Sequence, residues 1–183
     1  MCALPVESPP RDEGVESAEP DEENERDERD ERVEPEQPTA FDWSLALGAT
    51  HLEGPAGRVA IGDALGGAEI VMLYVTASWC PPCRAFTPQL ADLYNEAAEA
   101  TEGGQPRRVE VVLVSRDQDA EKAAEYRAKM PWLALPDLGR QGSEQIVQQC
   151  GIRGIPALLV YRVATGEQLC ANAVSRATDF FIQ

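Results

Sequence analysis

The sequence holds 183 residues, with 32 acidic against 16 basic side chains and a formal net charge of -16. That balance argues against a nucleic-acid-binding surface, and no apolar run approaches the roughly 18 residues of a membrane-spanning helix. Five unevenly spaced cysteines do not make the framework of a disulfide-rich secreted domain.

The charge is concentrated at one end. Residues 1–40 carry 15 acidic and 4 basic side chains, leaving a net charge of -5 for the remainder. This segment is rich in proline and poor in large apolar residues, so burial cannot compensate its ordering entropy, and it reads as an acidic disordered tail acting as a solvated spacer. A lone charged helix there would have no apolar stripe to pack. The start, Met1-Cys2-Ala3-Leu4-Pro5, lacks the basic and hydrophobic regions of a signal peptide. A cytoplasmic protein with one folded domain over 41–183 is expected.

In chain order, Phe41 to Leu47 reads as a short edge strand and 48–67 as a Gly-rich passage. Ile70 to Thr76 is a continuous apolar run of strand length, predicting a strand buried on both faces. Phe86, Leu90, Leu93, Tyr94 and Ala97 then recur at helical spacing, with Pro88 predicting a kink rather than a break. A second buried strand is predicted at Val109 to Ser115, then a helix from Ala120 to Met130 stopped by Pro131. A short helix is predicted over Glu144 to Cys150, with Ser143 as N-cap and Gly151 as C-terminal glycine. Ala157 to Val163 and Gln168 to Ala173 flank a turn signal and predict a hairpin. This order predicts an α/β domain with a central mixed sheet flanked by helices.

The chemistry-bearing motif is Trp79-Cys80-Pro81-Pro82-Cys83-Arg84. It sits between a buried strand and an amphipathic helix, a context that makes a paired-cysteine spacing specific. Free N–H groups and the macrodipole at a helix start stabilise a thiolate and lower the pKa of Cys80 towards neutrality. Cys80 is therefore the predicted nucleophile, with Cys83, one turn on, resolving the mixed disulfide by closing a Cys80–Cys83 bridge. Pro81 and Pro82 donate no N–H and stiffen the loop. A zinc site would need two more ligands at regular spacing, and Cys150, Cys170 and His51 are scattered, so no metal is expected. Arg84 stands where haem attachment requires histidine. Cys2 lies in the tail, while Cys150 and Cys170 read as small buried hydrophobes. By position alone, Pro156 at the start of a strand is an edge feature or a cis bond.

The stretch from Trp79 to Arg84, with Phe86-Thr87-Pro88-Gln89-Leu90 after it, resembles the tryparedoxin and nucleoredoxin branch of the thioredoxin superfamily. So do Lys129-Met130-Pro131-Trp132-Leu133-Ala134-Leu135-Pro136 and Gly151-Ile152-Arg153-Gly154-Ile155-Pro156, so that the likeness spans about residues 43 to 175. The resemblance implies a thioredoxin fold in which Pro156 is cis and lies beside Cys80. There the backbone of Ile155 would pair with an incoming substrate chain, Trp79 and Trp132 would flank the exposed sulfur, and Arg84 would favour the thiolate. Taken singly, each tryptophan is a core or rim aromatic and Arg84 a solvated cation. Tyr74 occupies the strand position where thioredoxins proper carry a buried aspartate. It is a poor general base, so Asp117 and Asp119 are the candidates for proton transfer. The family's C-terminal helix is expected to be missing.

The resemblance implies a monomeric protein-disulfide reductase with no bound cofactor. Its electron donor would be trypanothione, glutathione or a reductase, and its clients protein disulfides such as those of peroxiredoxin or glutathione-peroxidase-like enzymes. A nucleoredoxin-like module whose redox state tunes partner binding is the alternative. Neither nucleic-acid nor membrane partners are expected.

Overall fold

The computed structural model describes residues 40–99, 108–136 and 140–181. Residues 1–39, read above as an acidic disordered tail containing Cys2, lie outside them.

The predicted apolar runs form the centre of a seven-stranded mixed sheet. β1 (His51–Gly54) and β2 (Gly57–Ala60) make an antiparallel hairpin at one edge, and β3 (Ile70–Thr76), β4 (Val109–Ser115) and β5 (Leu133–Ala134) run parallel. β6 (Ala157–Arg162) and β7 (Gln168–Cys170) return antiparallel, giving the order β2-β1-β5-β4-β3-β6-β7. Every residue of β3 and β4 is buried. Alternation along the strands feeds two cores. Val71, Leu73 and Val75 face α1 (Trp43–Leu47), α2 (Ile61–Leu65) and α5 (Arg140–Gln149). Met72 and Tyr74 face α3 (Pro81–Glu99), α4 (Ala120–Arg127) and α6 (Thr178–Phe181).

Four local expectations are corrected. Residues 43–47 are helix rather than edge strand: Asp42 caps α1 by accepting from the Leu45 N–H at 3.0 Å, and Gly48 closes it in the left-handed region at φ 63°. Trp43, Ala46 and Leu47 bury one face. The Gly-rich passage contains the β1–β2 hairpin and α2. The helix expected to reach Met130 ends at Arg127. Ser143 is not an N-cap, because α5 starts three residues earlier and buries that side chain. The end of α5 matches expectation: Gly151 has φ 60°, and the N–H groups of Gly151 and Ile152 bond back to Gln148 and Val147 at 3.1 and 3.0 Å.

The C-terminal helix expected to be missing is represented by the single turn of α6, whose half-buried Phe180 and Phe181 join the second core. Gly166, at φ 68°, lies against the Phe41 ring, where any Cβ would collide. Among the described residues no helix is long and apolar enough to cross a membrane.

Candidate active site

The end of β3 delivers the chain through Ala77, Ser78 and Trp79 to Cys80, and α3 begins at Pro81. Prolines suit the first turn of a helix because the N–H groups they lack have no intrahelical partner there. Cys80 precedes the helix as its cap. Its sulfur accepts the Cys83 N–H at 3.3 Å, and its carbonyl accepts from the Arg84 N–H at 3.1 Å. The two sulfurs are joined in a disulfide with Cα atoms 5.3 Å apart. Cys83 is fully buried and Cys80 is 3% exposed. That N–H and the start of α3 point at the Cys80 sulfur, an arrangement that favours negative charge there.

Two loops complete the approach to the sulfur. The Ile155–Pro156 bond is cis, and the Ile155 carbonyl oxygen lies 3.7 Å from Cys80 Sγ. Trp79 is a prominently exposed large apolar side chain, at 61%. With Arg116, Arg153 and Ile155 it lines an open groove of about 320 Å³. Pro81, Pro82 and Arg84 are exposed on the first turn of α3.

Below the disulfide the surroundings are buried and hydroxyl-rich. The Cys83 carbonyl accepts from Thr87 Oγ1 at 2.9 Å and from the Tyr74 hydroxyl at 3.3 Å. Tyr74 and Thr87 are 2.9 Å apart, and Thr87 reaches the Tyr126 hydroxyl at 2.6 Å. Pro88, next to Thr87, removes the helical donor to the Arg84 carbonyl, one residue beyond these bonds. Burial pushes the Tyr74 pKa up to about 12, so this phenol holds its proton.

The other sequence candidates separate. Asp117, 1% exposed, accepts from the Ser78 N–H at 3.1 Å, from Ser78 Oγ at 2.7 Å and from Ser115 Oγ at 3.2 Å. It pins the loop before Cys80. Asp119 instead caps α4 through the N–H groups of Glu121 and Lys122. Trp132 does not flank the sulfur. It is 1% exposed in the second core, with its ring edge-on to Tyr74 at 5.9 Å and Tyr94 at 5.7 Å. A large ring beside the short β5 gains more from burial than from a rim position. Cys150 and Cys170 are half-buried, Cys150 lying 3.4 Å from the Tyr161 hydroxyl.

Sequence reasoning missed Thr87, Tyr126, Arg116 and Arg153. Only Thr87 left a local signal, a hydroxyl four residues after Cys83 and therefore able to bond back to its carbonyl.

Comparison with known proteins agrees with this geometry. The Thioredoxin-like family profile matches residues 67–167. Tryparedoxin of Trypanosoma brucei brucei is 38% identical over 132 residues, covering 72% of this chain and 86% of that protein. Nucleoredoxin of Mus musculus is 39% identical over 90 residues, but the chain spans only 20% of that protein's length. Among solved structures, tryparedoxin I of Leishmania major superposes with a TM-score of 0.63 at 32% identity, covering 73% of this chain and 88% of that one. Tryparedoxin II complexed with glutathionylspermidine superposes with a TM-score of 0.61 at 36% identity, covering 72% and 86%. The fold is thioredoxin-like.

Proposed function

The chain belongs to the thioredoxin-like family as a thiol-disulfide oxidoreductase, and we propose that it works as a dithiol reductase carrying electrons from a low-molecular-weight thiol or a reductase to protein disulfides. The observation that carries this reading is the asymmetry of the pair. Cys80, 3% exposed, precedes the helix with its sulfur 3.7 Å from the carbonyl of the groove-lining Ile155, and Cys83 has no exposed surface one turn on.

In this reading the Cys80 thiolate attacks a client disulfide and forms a mixed disulfide, releasing one client thiolate. Cys83 then attacks Cys80 Sγ, releasing the second client thiolate and restoring the Cys80–Cys83 bridge. Ile155 and Pro156 hold the client backbone beside the sulfur, Trp79 covers one flank, and Pro81, Pro82 and Arg84 shape the exposed first turn. With Tyr74 keeping its proton, the proton taken from Cys83 passes to water or to the departing client thiolate.

Trypanothione and glutathione are the candidate small donors, and peroxiredoxin or glutathione-peroxidase-like enzymes the candidate clients. Cytoplasmic location and action as a monomer with no bound cofactor complete the proposal. Its test is insulin-disulfide reduction with trypanothione, glutathione or a thioredoxin reductase as donor. At least one donor should sustain turnover that Cys80→Ser abolishes. Full activity in Cys80→Ser would refute the mechanism.

A further inference from the structure

We infer that the apolar groove between α1 and α2 is the docking site of the chain's own first six residues, Met1-Cys2-Ala3-Leu4-Pro5-Val6, which thereby close residues 7–39 into an acidic loop.

The groove has a volume of about 360 Å³, within the range of clefts that hold small ligands. Half-buried Phe41, Ala68 and Val163 line it together with Trp43, Ile61 and Leu65. Gly62 and Gly66 are exposed on its α2 side, and a Cβ added at Gly62 would meet nothing within 4 Å. Among the described residues that line it, Asp42 alone is charged, and its carboxylate caps α1 through the Leu45 N–H. The groove near the disulfide, by contrast, carries Arg116 and Arg153, and one lined by α4 carries Arg127. An uncharged apolar peptide therefore matches the α1–α2 groove, where burial and not charge supplies the attraction.

The chain itself holds such a peptide. Residues 1–39 contain five large apolar side chains, Met1, Leu4, Val6, Val15 and Val33, and three of them fall within the first six positions. Those six carry no charged side chain, whereas the 15 acidic and 4 basic side chains of this region all lie between Glu7 and Glu36. Pro5 restricts the backbone and so lowers the cost of ordering it. The segment also joins the folded domain at the groove. Ala40 and Phe41 are lining residues, and the Phe41 N–H donates to the Ala164 carbonyl at 3.2 Å. A connection as long as residues 7–39 has a root-mean-square span of about 30 Å, so both of its ends can sit at one groove. Tethering raises the effective concentration of the peptide to the order of millimolar, at which a weak apolar contact is occupied.

The groove lies at the Ile70 end of β3, where Val163 follows β6, whereas Cys80 follows the other end, about 20 Å along the strand. Docking there holds the negative charge of residues 7–39 away from the disulfide.

The test follows alkylation of Cys2 by iodoacetamide in the oxidised full chain, read on the N-terminal peptide by mass spectrometry and normalised to the same chain in urea. Docked, Cys2 should react about threefold more slowly than in Leu4→Ser, which weakens the apolar peptide. Gly62→Phe, which fills the groove from a position with room for a side chain, should relieve the slowing equally. Both variants should keep the wild-type rate of disulfide reduction by dithiothreitol, the sign of an intact domain. Equal Cys2 rates in wild type and Leu4→Ser would overturn the proposal. So would slowing that Leu4→Ser relieves and a folded Gly62→Phe does not, which would place the peptide elsewhere. Slowing that strengthens as protein concentration is raised would assign the groove to a second copy and overturn docking within one chain.

Discussion

The Cys80–Cys83 bridge divides two unlike surroundings. On one side Cys80 lies 3.7 Å from the carbonyl of Ile155, a residue that with the exposed Trp79 and two arginines lines an open groove. On the other, Cys83 rests on Tyr74 and Thr87, whose hydroxyls bond to its carbonyl and to each other, with Tyr126 bonded to Thr87, in a buried layer. The groove side presents exposed side chains, Trp79 and Arg153, to solvent. The core side fixes the start of α3, and with it the cap geometry that Cys80 uses.

The sharpest way to break this contrast is with the two tryptophans. Trp132→Ala removes a buried ring packed on Tyr74 and should lower unfolding free energy by about 3–5 kcal/mol in denaturant titration. Trp79→Ala should stay within about 0.5 kcal/mol while slowing client reduction. Equal destabilisation would mean that the groove is part of the core.

A second contrast uses pH. Unfolded tyrosine titrates near 10 and Tyr74 at about 12, so the unfolded chain loses its proton first. Stability should therefore fall between about pH 10 and 12, by about 2–3 kcal/mol from this group. Tyr74→Phe should flatten that part of the curve, and superimposable profiles would remove Tyr74 from the account.

The smallest effects come from two aspartates two residues apart. Asp119→Ala deletes a helix cap and should cost about 1 kcal/mol without altering disulfide reduction by dithiothreitol. Asp117→Ala leaves the Ser78 N–H and hydroxyl without their acceptor, and should cost about 1–3 kcal/mol and also change that rate. The same rate in both variants would show that the Ser78 loop does not influence Cys80.

What the sequence made legible follows the same division. β3 is a continuous apolar run, β4 is one interrupted by Glu110, and α3 has a sustained 3.6-residue pattern, so the elements carrying the cysteines could be read directly. Around 41–47 the aromatic and aliphatic composition suggested a strand, although Asp42 and Gly48 supplied helix caps. β1 and β2 were illegible because each has only four residues, and β1 joins the sheet through Glu53 opposite Ala134, a pairing that depends on the whole fold. Trp132 shows the limit of a motif: it locates the residue beside the right segment but not on which side of the sheet-to-groove boundary the ring falls. The hydroxyl layer links Thr87 to Tyr126 across 39 residues, beyond any local pattern. Arg116 follows a buried strand, and only the folded chain turns it towards the groove.

The central claim is that Cys80 attacks and Cys83 resolves. Its direct measurement is mass spectrometry of reduced single-cysteine variants mixed with an oxidised client protein. Cys83→Ser should accumulate a client adduct on Cys80 that dithiothreitol releases, whereas Cys80→Ser should leave Cys83 unmodified. Adducts forming on Cys83 as fast as on Cys80 would contradict the assignment.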